Sequence, residues 1–518
     1  MQEKEFIKKI KKIFSNNYVI LTTIFLLITI SNIIWLKIDT RPPHWDASNH
    51  LMHSLAKYDL LKEFSLRSLK HFYGSYTYYP PAYYWATSFF YLLFGKGVDI
   101  AVYTNIFFLF ILIFSTYGIA KHFWGRGAGL LSALVVSVMP VLLSQSREYQ
   151  LDFPLTAMVA LTIYLLLKTE TFRNRIYSIL FGISFASGFL LKWTFPVFLI
   201  FPMSYSLFKL IYENIKAKKI EDSRWLNVFL AVFFIFIFAG PWYIVNLQKL
   251  RADFAGNIQC GINEGDPQTF WASVTWYIKS WIIVHMRLLL LVLFEIGVVS
   301  SFVKKKILKN NLFILLTLAT GFFIMVFYSN KDIRFIEPIM PFVAIVACYW
   351  VFLLPKVFKE IMVGLVILIA IFYFWSISFG FKFLPTSKGF EFHKYYFPLY
   401  IQNGYTVGPP VSENWHQNEI FDDILKNKPA DRIVKLNMFY KDKIFFNKEN
   451  FKYYILLNNY PIDIRYPFSQ APEVSVGDFL LVNSPNQTDE QLIARYNKIL
   501  ISQYDLSDNT KAYLFQVK

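Results

Sequence analysis

Four short stretches of the 518-residue chain gather ionisable side chains of opposite sign. The first is Arg41-Pro-Pro-His-Trp-Asp46-Ala-Ser-Asn-His50, and the second is Arg147-Glu148-Tyr149-Gln150-Leu151-Asp152-Phe153-Pro154. The third is Lys192 within Leu190-Leu-Lys-Trp-Thr-Phe-Pro196, and the fourth is Lys331-Asp332-Ile333-Arg334 followed by Glu337-Pro338 and Pro341. A carboxylate beside a hydroxyl can take its proton as a general base, while Arg and Lys stabilise charge growing on a departing phosphate. Asp46, Glu148 and Asp152 are candidates for the first task, and Arg147, Lys192, Lys331 and Arg334 for the second. Neither task needs a nucleotide, and no phosphate loop of the GxxxxGK type is present.

Each residue alone also has a plainer reading. Asp46 could cap an interfacial helix starting at Ala47. Arg147 with Glu148 or Asp152 could be a rim ion pair, and Lys192, Lys331 and Arg334 could snorkel to lipid headgroups. Their conjunction favours a site for an anionic lipid. His285 and Arg287 lie within an apolar run, where a charge marks a functional suspect; their role stays open.

The elements that position these residues are membrane helices. Hydrophobic residues make up 55% of the chain and aromatic residues 19%, which no ordinary soluble domain matches. Apolar runs approach or reach the ~20 residues that cross a bilayer. The net charge of +17 lies largely in short loops between them, a pattern of topology that argues against a nucleic-acid partner. Marking those basic loops, including Lys8 to Lys12, as cytoplasmic predicts eleven spans: 19–36, 100–120, 127–143, 153–168, 176–191, 194–212, 225–245, 280–301, 311–328, 335–353 and 358–377. The short run Pro81 to Phe94 breaks the parity if it crosses, so it reads as a re-entrant or interfacial helix. The first run is long for a signal-peptide core and reads as a signal anchor.

The expected fold is thus an all-α polytopic membrane bundle over 1–380 with a small C-terminal extracytoplasmic α/β domain over 381–518. In the latter, Glu413 to Lys426 and Asp489 to Ser502 read as helices, and Arg432 to Leu436 and Phe479 to Asn483 as strands. The N-terminus is expected in the cytoplasm and the protein in the plasma membrane. Cys260 and Cys348 are too isolated to suggest a disulfide. The Phe72 to Trp85 segment is rich in Tyr and Trp, which suits either sugar stacking or an interfacial aromatic belt.

The order and spacing of Asp46, Tyr79-Pro-Pro-Ala-Tyr83, Arg147-x-Tyr149-x-x-Asp152-x-Pro154, Lys192, Gly240-Pro-Trp-Tyr243 and Lys331-x-x-Arg334-Phe335-x-x-Pro338-x-x-Pro341 resemble the polyprenyl-phosphate-sugar-dependent glycosyltransferases of the GT-C fold. Similar members include the dolichyl-phosphate-mannose protein mannosyltransferases and the bacterial aminoarabinose transferase acting on lipid A. The resemblance implies an inverting transferase whose lipid-linked donor is presented at the outer leaflet to a cell-envelope acceptor. It implies Asp46 as catalytic base, Asp152 and Glu148 as orienting carboxylates, and Lys192, Lys331 and Arg334 as ligands of the donor phosphate. The segment Asn246 to Ser280 would be a loop covering the donor cavity. Ala47 follows Asp46 where the protein mannosyltransferases carry a second acid, which argues against a protein acceptor. No cofactor is expected. A divalent cation wants several oxygen ligands, and only Asp46, Glu148 and Asp152 are on offer, so metal-independent chemistry is favoured. The helix opening at Trp415-x-x-x-Glu419-Ile420 fits the small extensions of bacterial members.

Three competing readings remain. An oligosaccharide transferase of similar fold would move a whole glycan. A secondary transporter would place its charges near the midplane and show repeated halves, neither of which is found. A scaffold that binds a cell-envelope polymer would not need so many spans.

Overall fold

The computed structural model describes residues 16–218, 221–392, 395–402, 408–440, 443–465, 474–483 and 487–518. Lys8, Lys9, Lys11 and Lys12, and residues 219–220 of the basic Lys216 to Arg224 loop, lie outside these. The chain divides into two compact units. One comprises 1–35, 64–86 and 102–409; the other comprises 36–63, 87–101 and 410–518. The expected boundary at 380/381 follows the change in composition, whereas the compact units assign the Trp45–Glu63 helix to the C-terminal unit. There it packs on the Lys448–Asn458 helix, and Asn450 Nδ2 donates to the Pro43 carbonyl at 2.8 Å.

Among the described residues, eight helices are long and apolar enough to cross a membrane. The eleven expected spans all fall on helical segments. Two of them, 100–120 and 127–143, lie along a single helical run, Val98–Val138, broken at Gly125 with φ +80° and ψ −176°. Only glycine adopts that backbone freely. The second of these gives way at Met139, which is forced towards the extended region (ψ 132°) by Pro140 behind it, and a short helix Pro140–Gln145 restarts the chain. Large apolar side chains such as Phe229, Phe233, Phe236 and Ile237 stand exposed on the Asp222–Asn263 helix, as lipid contact requires. That helix packs closely on Arg175–Phe189: a Cβ at Gly182 would sit 2.5 Å from the Ala231 carbonyl oxygen, so this crossing needs a glycine.

The segment expected as a covering loop, Asn246 to Ser280, is instead mostly helical. The Asp222 helix runs on to Asn263, and after a turn through Gly265 the Phe270–Ser280 helix follows. Leu247, Gln248, Lys249, Leu250, Arg251 and Ala252 are strong helix formers, and no proline lies between Asn246 and Asn263, so the helix continues through Gly256 and Gly261. A two-stranded hairpin, β1 (Ser387–Phe392) with β2 (Tyr395–Ile401), closes the unit.

The second unit carries a five-stranded sheet in the order β4-β3-β5-β7-β6, where β3 is Val434–Tyr440, β4 Ile462–Arg465, β5 Phe479–Asn483, β6 Lys498–Asp505 and β7 Lys511–Val517. β3 pairs in parallel with β4 and β5, and β7 pairs antiparallel with β5 and β6. Leu436, Met438, Phe479 and Leu481 from the sheet meet Ile420, Phe421 and Phe451 from two helices in its core. The strand expected at Phe479 to Asn483 is present. The helix expected from Asp489 to Ser502 holds only in its first half: the helix spans Gln487–Ala494, and Lys498-Ile-Leu-Ile-Ser-Gln-Tyr-Asp505 is a strand, in keeping with its β-branched and aromatic content. The helix expected from Glu413 starts later, at Gln417, because His416 is left-handed (φ +56°) and Glu413 is pinned to Thr40, whose Oγ1 donates to the Glu413 carbonyl and accepts from the Glu413 amide, each at 2.8 Å.

Candidate active site

The sequence of the first unit brings Asp152 and Lys192 together. Asp152 opens the helix Asp152–Lys168, where its charge meets the positive end of the helix dipole. Pro154 sits in the first turn, where its missing N–H would have had no helical partner. Lys192 lies in the turn between the helix ending at Phe189 and the 3-10 helix Phe195–Leu199. The turn can fold back tightly because Gly188 has no Cβ to strike the Phe195 ring, which would lie 2.2 Å from it. The Lys192 ammonium donates to Asp152 Oδ1 at 2.6 Å, and both side chains are nearly inaccessible. Its remaining surroundings are aromatic faces: the Phe335 centroid is 4.8 Å from Nζ and the Tyr79 centroid 5.3 Å.

Beside them, Asp332 starts the 3-10 helix Ile333–Ile339 by accepting from the Arg334 amide at 2.8 Å, and the Arg334 Nε reaches both of its carboxylate oxygens at 3.0 and 2.9 Å. Burial disfavours the Asp332 charge, but the Arg334 guanidinium, its hydrogen bonds and the charge of Lys192 outweigh that and hold the carboxyl below its ordinary range. The next turn carries Glu337, wholly buried, with neither carboxyl oxygen hydrogen-bonded among the described residues. The charges of Asp152, Arg334, Asp332 and Lys192 all act on it. A glutamate inside an apolar run was the signal for it in the sequence.

The other expected cations are engaged differently. Arg147 donates to Asn32 Oδ1 at 2.9 Å, to the Ile377 carbonyl at 3.3 Å and to Ser378 Oγ at 2.5 Å, and lies over the Trp35 ring. It ties the Asn17–Ile38 and Lys356–Ser378 helices together. The Lys331 ammonium turns back to the Val326 and Tyr328 carbonyls, capping the Lys305–Phe327 helix, while its amide donates to Asp266 Oδ2 at 2.7 Å. Glu148 is half-buried, and its carbonyl accepts from Asn105 Nδ2 at 2.8 Å. The two ring nitrogens of His285 lie 3.0 and 2.9 Å from the Ser280 and Ile333 carbonyl oxygens, and Arg287 is fully buried at a break with φ +58°.

Asp46 belongs to the second unit. Its helix begins at Trp45, one residue before it, so Asp46 is a first-turn residue rather than a cap of a helix starting at Ala47. Asp46 is half-buried. The same unit holds a polar recess of about 430 Å³ whose lining includes Thr40, Pro42, Glu413, Asn414, Trp415 and Glu419. Trp415 Nε1 donates to Glu413, and Asn414 Nδ2 to Glu419, which stiffens this wall. Among the described residues, no group of three or more His, Cys, Asp or Glu side chains is arranged to hold a metal ion.

A sequence profile described as dolichyl-phosphate-mannose-protein mannosyltransferase matches residues 79–244, less than half of the chain, and this stretch contains Tyr79, Asp152 and Lys192. No curated protein sequence matches. Among solved structures, ArnT from Cupriavidus metallidurans bound to undecaprenyl phosphate is similar at 12% identity and a TM-score of 0.58, with 96% of this chain and 97% of that chain covered. Its apo state gives 0.55 over the same shares. The Archaeoglobus fulgidus oligosaccharyltransferase in complex with zinc and sulfate matches at 10% identity and 0.50, covering 95% of this chain and 72% of that one. The resemblance read from the motifs is met by both kinds of comparison, and the chain has the GT-C membrane fold with a small C-terminal α/β domain.

Proposed function

We propose that this protein is a membrane glycosyltransferase that moves a hexosyl or pentosyl group from a polyprenyl-phosphate-linked donor to a hydroxyl of a cell-envelope acceptor, with inversion at the anomeric carbon. The observation that carries the reading is the dry Asp152–Lys192 pair beside Arg334–Asp332, set within this fold. Two cations held by carboxylates at one place can change partner, because a donor phosphate competes for the same ammonium and guanidinium protons. Asp46 takes the acceptor proton, the acceptor oxygen bonds to the anomeric carbon, and the carbon–phosphate oxygen bond breaks. The leaving phosphate keeps the electron pair, and Lys192 and Arg334 neutralise its charge. One such preorganised contact lowers a barrier by about 3 kcal/mol. Asp152, released by Lys192, accepts a hydroxyl of the sugar, and Glu148 is read as a second orienting carboxylate. The chemistry is read as metal-independent. The cations are read at the extracytoplasmic surface of the plasma membrane, with the N-terminus cytoplasmic and the C-terminal domain extracytoplasmic.

Transfer of a whole oligosaccharide is a second reading, favoured by the likeness of fold to the archaeal oligosaccharyltransferase. The test is transfer of radiolabelled sugar from a pool of polyprenyl-phosphate sugars into envelope fractions by purified wild type and Asp46→Asn. Label moved by wild type and at least ~100-fold less by Asp46→Asn supports the reading. Equal transfer removes Asp46 as the base, and product carrying a glycan rather than one sugar selects the second reading.

A further inference from the structure

Immediately after Lys192, the indole of Trp193 breaks the habit of membrane tryptophans. A Trp at a bilayer interface buries its ring and keeps its N–H wet. The Trp193 Nε1 is instead shielded from solvent and has no hydrogen-bond partner among the described residues, although its ring as a whole is only half-buried. The Tyr78 hydroxyl is in the same condition. Around Trp193 the aromatic contacts are continuous. Its ring meets Phe254 edge-on at 5.5 Å and Tyr328 at 6.1 Å, Phe254 and Tyr328 are 5.9 Å apart, and Tyr328 reaches Phe335 at 5.9 Å. Phe335 in turn faces the Lys192 ammonium. Phe254 is 41% exposed, so this cluster is open on one side rather than sealed as core.

We infer that Trp193, Phe254 and Tyr328 form the subsite that reads the sugar of the lipid-linked donor, with Tyr78 as a second polar contact. The inference rests on the donor reading above. An indole N–H can only donate, so its missing partner is an oxygen with a free lone pair, a hydroxyl or the ring oxygen of a sugar, and not an ammonium. The aromatic faces suit the C–H side of a pyranose or furanose. The position one residue from Lys192 puts this subsite next to the group that holds the phosphate, which is where a sugar phosphate carries its sugar. Two features separate this from a simple aromatic belt: a buried N–H with no partner among the described residues, and the run of edge-on and tilted ring contacts that leads from it to the ammonium.

The test compares bare polyprenyl phosphate with polyprenyl phosphates carrying a hexose, an N-acetylhexosamine or a pentose, each titrated into the full-length protein in lipid nanodiscs. Wild type is expected to bind at least one sugar-bearing lipid more tightly than the bare phosphate. Trp193→Phe keeps the ring and removes the N–H, and should weaken that ligand by about five- to tenfold while leaving bare polyprenyl phosphate within about twofold. Phe254→Leu, at a half-open position with little folding role, should weaken the same ligand and again spare the bare phosphate. Equal loss of both ligands, or no loss in either variant, overturns the subsite. Wild type that binds bare phosphate but prefers none of the sugars also overturns it, and leaves the phosphate reading standing. Wild type that binds no polyprenyl phosphate at all removes the donor reading itself, and the subsite with it.

Discussion

Lys192 and Arg147 are both buried cations of the first unit, and both were expected to serve a phosphate, yet their surroundings differ in kind. Lys192 pairs directly with the Asp152 carboxylate, faces two aromatic rings and also acts through its charge on Asp332 and Glu337. Arg147 answers to a side-chain amide, a carbonyl and a hydroxyl drawn from two helices, and none of these partners is a carboxylate. Exchanging Asp152 for an incoming phosphate swaps one anion for another and keeps the ammonium paired. Pulling Arg147 away would strand three oxygens and loosen the tie between its helices. A buried cation paired with a movable anion is suited to catalysis, whereas one wired to neutral oxygens braces the fold.

This contrast can be broken by substitution. Lys192→Met should lower sugar transfer by on the order of 100-fold or more. Because it also leaves Asp152 buried and unpaired, at a cost of about 3–5 kcal/mol, the double variant Asp152→Asn/Lys192→Met should regain thermal stability without regaining activity. A double variant that recovers transfer would make the pair structural. Arg147→Met should act in the opposite sense, costing about 2–4 kcal/mol in thermal or denaturant unfolding while the folded fraction keeps its apparent KM for donor.

A smaller effect separates the two units by pH. In the second unit burial, and then the charges of Lys57 and Lys452, push His53 down to about 4 from its ordinary 6.5. A group whose folded value is depressed contributes stability that is complete above the unfolded value and is lost as the pH falls through the folded one. The second unit should therefore lose about 1–2 kcal/mol between pH 6.5 and 4, read as a falling melting temperature, and His53→Gln should flatten that slope. Asp332 has the same sign in a more acidic window: its stabilising pair with Arg334 is intact above the usual carboxylate range and fades as the pH falls below it. Lys331→Met should have the smallest effect, about 1 kcal/mol or less on unfolding through its lost helix cap, with transfer reduced only severalfold.

Much of this is legible in the sequence, because hydrophobic length and basic loops are strong signals. Every expected span falls on helical segments, and Phe479 to Asn483 is a strand with the expected bounds. The Asp152–Lys192 pairing is legible only as a shared depth, since nothing in one chain gives the distance between residues forty positions apart. The partner of Arg334 is Asp332, two residues before it, where a cap on a 3-10 turn brings side chains together that helix spacing would not. Lys331 looks like its neighbour Arg334 in the sequence because composition records charge and not the carbonyls a helix end presents. Asn246 to Ser280 reads as a loop because its polar residues interrupt the hydropathy, although helix propensity is high over Leu247 to Ala252, where the Asp222 helix continues. Trp193 gives no signal of its own, because an aromatic residue near a membrane surface needs no explanation until its N–H is seen to be buried without a partner among the described residues.

The most direct measurement is the affinity of the full-length protein in nanodiscs for bare polyprenyl phosphate, compared among wild type, Asp152→Asn/Lys192→Met and Arg147→Met. Tight binding by wild type, a loss of about tenfold or more in the Lys192 double variant and little change in folded Arg147→Met are the results expected of an exchangeable cation beside a brace. Unchanged binding in the double variant, with the loss falling on Arg147→Met instead, would contradict the account.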